Sequence, residues 1–139
     1  MNPPMIFLMH PVGVGSTRSM NVASTKMWLR ALADILPDVH ISAPWLPYAE
    51  VNIDRDRGLR YAFASIEWHH GAVAVGGDFS MGMLEEWHRF GALRRHRIDL
   101  TRRPLPGLLN TENFSETIKA FRHTIVEAFQ PVMAARAAA

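Results

Sequence analysis

The 139-residue sequence contains no cysteine, which excludes disulfide frameworks, thiolate catalysis and cysteine-ligated metals. It has no long apolar run either, and nothing in it approaches the ~20 apolar residues that a membrane span requires. The opening Met1-Asn2-Pro3-Pro4 lacks the basic start and apolar core of a secretion signal, so a cytoplasmic protein with no membrane partner is expected. An excess of one charge is missing too. Fifteen Lys and Arg against thirteen Asp and Glu leave a formal charge of +2. The basic clusters Arg94-Arg95-His96-Arg97 and Thr101-Arg102-Arg103 carry no interleaved aromatics, which argues against a nucleic-acid partner. They read as a solvated edge, or as a rim that steers a phosphorylated small molecule.

What is present is an ordinary globular composition, 48% hydrophobic, in a length that suits one domain over residues 1–139. Met5 to Met9 (MIFLM) is a continuous apolar run too short for a helix, and reads as a strand buried on both faces. A glycine-bearing loop follows, His10 to Ser16. A helical pattern then runs from Asn21 or Val22 to Leu36, stopped by Pro37. Val39 to Ala43 reads as a second strand. Pro44-Trp45-Leu46-Pro47-Tyr48 is expected to be irregular, because its two prolines remove donors and fix the backbone.

Asp54 to Trp68 has helical spacing through Leu59, Phe63 and Ile66. Ala72 to Val75 is a third buried strand ending at Gly76-Gly77-Asp78. A helix follows from about Ser80 to Leu93, in which Met81 and Met83 read as core packing. Arg97 to Leu100 is a fourth strand, and Pro104 to Leu109 a linker or weak fifth. Asn113 with Glu116 resembles a capping arrangement opening a last helix. Strands alternating with helices predict an α/β fold: three-layer α/β/α, Rossmann- or flavodoxin-like, with a parallel sheet of four or five strands. In such sheets ligands collect beyond the carboxyl ends of the strands. Three loops are therefore singled out: His10 to Asn21, Ala43 to Asn52, and Gly76 to Ser80.

The densest chemistry lies in Val75 to Glu86. A buried strand runs through glycines directly into a helix start, where free N–H groups, the helix dipole and the Ser80 hydroxyl suit phosphate or a sugar hydroxyl. Gly82 permits close approach of a ligand to the backbone. Glu86, nearly two turns after Ser80, can share the face that looks into the cleft. A simpler account also covers these residues: Ser80 as an N-cap, and Glu85 and Glu86 as surface acids pairing with Arg89. Trp45 and Tyr48 could stack on a nucleobase or merely pin a proline-rich loop. His69 and His70 would face opposite ways in a strand and cannot easily chelate one metal. With His10, His40 and His88 scattered, neither a metal nor a cofactor is expected.

This segment resembles the signature of the nucleoside 2-deoxyribosyltransferase-like superfamily, in which a hydrophobic strand precedes a Ser-x-Gly-x-x-x-Glu pattern, here Ser80, Gly82 and Glu86. The likeness to the uncharacterised bacterial and phage branch is greater. It extends to Ile6 through Pro11, to Asn21-Val22, to Pro44 after the second strand, and to Ser80-Met81-Gly82-Met83. It implies N-glycosidic bond hydrolysis or deoxyribosyl transfer on a nucleoside or nucleoside 5′-phosphate, with Glu86 as the nucleophile and Glu85 as the fallback. Ser80 and Gly82 would hold phosphate or sugar, Asn21 would shape the pocket, and His10, Gly13 and Asp78 would contribute further substrate contacts. It also implies a homo-oligomer. The sequence departs from the pattern where Phe7 replaces a frequent Tyr, where His10 replaces a frequent glycine, and in having no Asp between Arg57 and Asp78. These departures leave a second expectation open, a catalytically silent nucleotide- or nucleotide-sugar-binding module.

Overall fold

The computed structural model describes residues 3–51, 54–103 and 114–138. Its centre is a four-stranded, all-parallel sheet in the order β2-β1-β3-β4. The strands are β1 (Met5–Met9), β2 (His40–Ser42), β3 (Gly71–Ala74) and β4 (His96–Asp99). Phe7 pairs with Ser42 on one side and Ala72 on the other, and Val73 pairs with Ile98. Ile6 to Met9 and Gly71 to Ala74 are buried, as strands covered on both faces must be. The edge strand β4 buries only Ile98.

Among the described residues five helices join and cover the strands: α1 (Gly15–Ile35), α2 (Leu46–Glu50), α3 (Arg55–Ser65), α4 (Met81–Ala92) and α5 (Phe114–Ala138). Right-handed crossovers put α1 and α5 on one face and α3 and α4 on the other. Trp28 of α1 meets Phe121 of α5 at 6.0 Å between ring centroids. Across the sheet, Phe7 meets Phe90 of α4 at 5.6 Å. The result is the three-layer, Rossmann-like α/β arrangement expected. Among the described residues no helix is long and apolar enough to cross a membrane.

Several boundaries differ from expectation. Helix α1 begins at Gly15, not Asn21, so Asn21 lies in its second turn and the loop after β1 is only His10 to Val14. No side-chain cap or apolar period marks that start, and the buried residues of α1, Thr25, Trp28 and Leu32, all lie beyond its first turns. The segment expected to be irregular contains α2, because Pro47 falls in its first turn, where a missing N–H costs no helical hydrogen bond. Ala62 of α3 and Ile66 just after it are buried, whereas Phe63 is 42% exposed and Leu59 half-buried. Met81 is also exposed; Met83 alone of that pair joins the core. The expected weak strand from Pro104 and the Asn113 cap lie outside the described residues.

Arg95 closes the end of the 3-10 turn at Ile66–Trp68. Its Nη1 donates to the carbonyls of Ile66, Glu67 and His69 at 2.8–2.9 Å. Arg97 lies over the Trp87 ring. Half of the first basic cluster is thus engaged in holding the fold, while Arg102 and Arg103 are exposed.

Candidate functional site

Strand order changes direction at β1, so the crevice between the carboxyl ends of β1 and β3 is the place where such a sheet leaves room for a ligand. His10 and Val12 enter it after β1, Trp45 after β2, and Ser80, Gly82, Met83 and Glu86 after β3. Together with Leu59 they wall one narrow pocket of about 10 Å³, space for one water-sized atom. Leu59, Gly82 and Glu86 also wall a broader cleft between α3 and α4, of about 330 Å³, which Phe63 and Glu85 help to line. Leu59 therefore stands between the two spaces.

The start of α4 is built as its sequence suggests. Ser80 is the N-cap in extended conformation, and its Oγ accepts from the Met83 N–H at 3.2 Å. The Met81 and Gly82 N–H groups have no helical partner at this position, and the Ser80 hydroxyl keeps its own proton to donate. Capping and ligand binding are compatible here, because each uses a different part of the hydroxyl.

Glu86 is buried, 7% exposed, and its carboxyl accepts no hydrogen bond from any described residue. Burial, followed by the repulsion of neighbouring Glu85, pushes it up to about 8, so at neutral pH it is mostly the neutral acid. The expected pairing with Arg89 does not occur. Arg89 reaches the opposite way, to Glu67 at 2.9 Å. Phe7, which stands where a tyrosine hydroxyl would be frequent, is packed against Phe90 and His69 and brings no polar atom toward the carboxyl.

His10 walls the pocket with its ring, and both of its nitrogens are engaged. Nδ1 lies 2.8 Å from the Pro11 carbonyl, which can only accept, so Nδ1 carries the proton. Nε2 then accepts from the Ser24 hydroxyl at 2.8 Å. Burial holds the imidazole below its ordinary value, and the neutral ring is a wall and an anchor. Asn21 pins the same loop, its Nδ2 donating to the Val12 carbonyl at 3.2 Å. Gly13, at φ +71, supplies the left-handed turn, and an added Cβ would lie 2.9 Å from Thr17.

The fold thus gathers Ser80, Gly82, Glu86 and His10 around one pocket. Asn21 and Gly13 shape the adjoining loop, and Asp78 is exposed in the turn before α4. Leu59 has the spacing of a helix-core residue and no chemistry to mark it, yet it lines the pocket, as does Trp45, for which stacking on a nucleobase and pinning the proline-rich loop are both open. Trp45 is 3% exposed, and its Nε1 is the only fully buried side-chain nitrogen or oxygen without a hydrogen-bond partner among the described residues.

The two histidines after the 3-10 turn are structural. His69 accepts from Ser42 at 2.6 Å and donates to the Ser65 carbonyl, while His70 Nδ1 accepts from the Met5 N–H. Compared with known proteins, the sequence matches no family model and no curated protein.

Proposed function

We propose that the chain acts on the N-glycosidic bond of a nucleoside or nucleoside 5′-phosphate, by hydrolysis or deoxyribosyl transfer, with Glu86 as the nucleophile. One observation carries this reading: a buried carboxyl to which no described residue donates a hydrogen bond lines the crevice at the carboxyl ends of the strands, on the helix that Ser80 caps. The Glu86 carboxyl is largely buried yet not sealed off, so an occupant of the cleft can reach it, and such clefts are where α/β sheets bind ligands. The broader space, about 330 Å³, falls in the range of small-molecule sites.

In the proposed reaction a Glu86 oxygen bonds to C1′ as the C1′–N bond breaks. The base leaves with that electron pair and takes a proton from solvent. Water, or a second base, then attacks C1′ and releases the carboxylate. Ser80 and the α4 N-terminus would hold a phosphate or sugar hydroxyl, and a carboxylate beside an oxocarbenium-like centre lowers its energy. The anionic form of Glu86 is needed, and ligand groups that hydrogen-bond the carboxylate would favour it.

A second reading, a silent nucleotide- or nucleotide-sugar-binding module, is favoured by a different observation. Glu86 rests as a neutral acid, and Phe7 gives it no orienting hydroxyl. Incubation with a panel of deoxynucleosides and their 5′-monophosphates, assayed for free base, tests the two. Release of base that is abolished in Glu86→Ala supports the nucleophile. Activity surviving both Glu86→Ala and Glu85→Ala overturns it. Thermal stabilisation without turnover supports the binding module.

A further inference from the structure

We propose that the broader cleft between α3 and α4 is a base subsite, in which Phe63 stacks on a nucleobase and the Glu85 carboxylate selects bases that carry an exocyclic amino group. The inference rests on the reading of the site as one for a nucleoside or nucleotide, and names the part of that substrate which the cleft takes. The narrow pocket beside Ser80, about 10 Å³, holds one water-sized atom and has no room for a base. The cleft on the other side of Leu59, about 330 Å³, is of small-molecule size. Glu86 lines it too, 7% exposed and with no hydrogen-bond donor among the described residues. The cleft therefore adjoins the carboxyl proposed to meet C1′.

Phe63 presents an open ring to the cleft and makes no ring contact with any described residue. Every nucleobase has a face on which such a ring can stack. Arg60 of α3 and Glu85 of α4 also line the cleft. Neither forms an ion pair or hydrogen bond with a described residue, so they stand beyond ion-pair reach of each other. Lys26, Arg89 and Arg122 are all paired, which sets these two uncommitted charges apart. A guanidinium only donates and a carboxylate only accepts, so an occupant that meets both must offer acceptors and donors. An amino-bearing base does so, through its amino group and its ring nitrogens or carbonyls. A base lacking the amino group leaves Glu85 without a donor, or sets a carbonyl against it, and is disfavoured. A phosphate placed here would be repelled by Glu85. The base is bonded to C1′, and the group that reads it stands beside the group that meets C1′, as Glu85 stands beside Glu86.

The test is an NMR titration of isotope-labelled protein, followed at the Ala64 methyl and the Gly82 amide, both in the cleft wall. The probes are matched pairs that differ at one position of the base: deoxyguanosine and deoxyinosine, deoxyadenosine and deoxyinosine, deoxycytidine and deoxyuridine. Free base released by turnover is visible in the same spectra. The expected result is a shift of both signals, with the amino-bearing member of at least one pair bound about tenfold more tightly. The pair that shows the preference locates the edge that Glu85 reads. Phe63→Leu should weaken every nucleoside about tenfold and alike, whereas Glu85→Ala should abolish the preference. Phe63 and Glu85 are both exposed, so both variants are expected to fold.

Equal affinities within all three pairs, or a preference that survives Glu85→Ala, overturn the inference and leave the nucleoside reading standing. Binding or base release with a still Ala64 signal and no effect of Phe63→Leu does the same. No response to any probe, with no base released, overturns both.

Discussion

The imidazole of His10 lies directly against the backbone of Gly76, so close that a Cβ at residue 76 would fall 2.3 Å from Nε2. Gly76 also has φ +90, a region that side chains other than glycine rarely adopt. His10 cannot easily yield, because Pro11 and Ser24 hold both nitrogens. Gly76→Ala is therefore expected to destabilise the protein by about 2–4 kcal/mol, measured by urea unfolding. Combining it with His10→Ala should cost less than the two single losses added together, since the clash is then removed. Strict additivity would show that the contact does not govern this turn.

Glu86 makes stability depend on pH in a defined direction. Its folded value, about 8, lies above the ordinary 4.5, so the folded state holds the proton more tightly than the unfolded chain. The associated stability is complete below about pH 4.5, declines between about 4.5 and 8, and is gone above. The full span corresponds to on the order of 5 kcal/mol. Glu86→Gln, which cannot ionise, should match the natural protein near pH 5 and exceed it in stability at pH 8. Equal pH dependence in both proteins would show that the carboxyl is not buried as described.

The same proton governs the proposed chemistry. As a nucleophile Glu86 acts only when ionised, so kcat/KM for base release should climb about tenfold per pH unit from pH 6 toward 8 and level off above. A fall above pH 8 would instead make Glu86 a general acid. A flat profile would remove it from the rate-determining chemistry.

Ser80 has two duties that two substitutions separate. Ser80→Ala loses the hydrogen bond to Met83 and should cost about 1 kcal/mol of stability, whereas Ser80→Gly costs only a few tenths at an N-cap. If the hydroxyl also contacts ligand, both variants should lose affinity for deoxynucleoside monophosphates to a similar degree, measured by calorimetry. Affinity preserved in Ser80→Gly would confine the residue to capping.

Much of this was legible along the chain because the forces involved are local. MIFLM and the run before Gly76 are apolar without interruption, and their shortness and flanking prolines and glycines mark them as strands covered on both faces. Ser80 stands immediately before a helical period, and its cap follows from that spacing alone. Nothing local marks the start of α1, and α2 forms because a proline excluded from helix interiors is tolerated in a first turn. Leu59 and Phe63 carry a helix-core spacing, yet they border an open cleft. Periodicity tells which residues share a face, but not whether that face meets a sheet or a gap.

The segment from Val75 to Glu86, then, was marked out by the sequence, through the order of strand, glycines, cap and helix. What that segment can do was decided only by the tertiary structure. The burial that turns Glu86 into a neutral acid and the enclosure of Trp45 depend on neighbours that only the fold brings together. Desolvation and hydrogen-bond satisfaction are properties of a surrounding, and a surrounding exists only once the chain has folded.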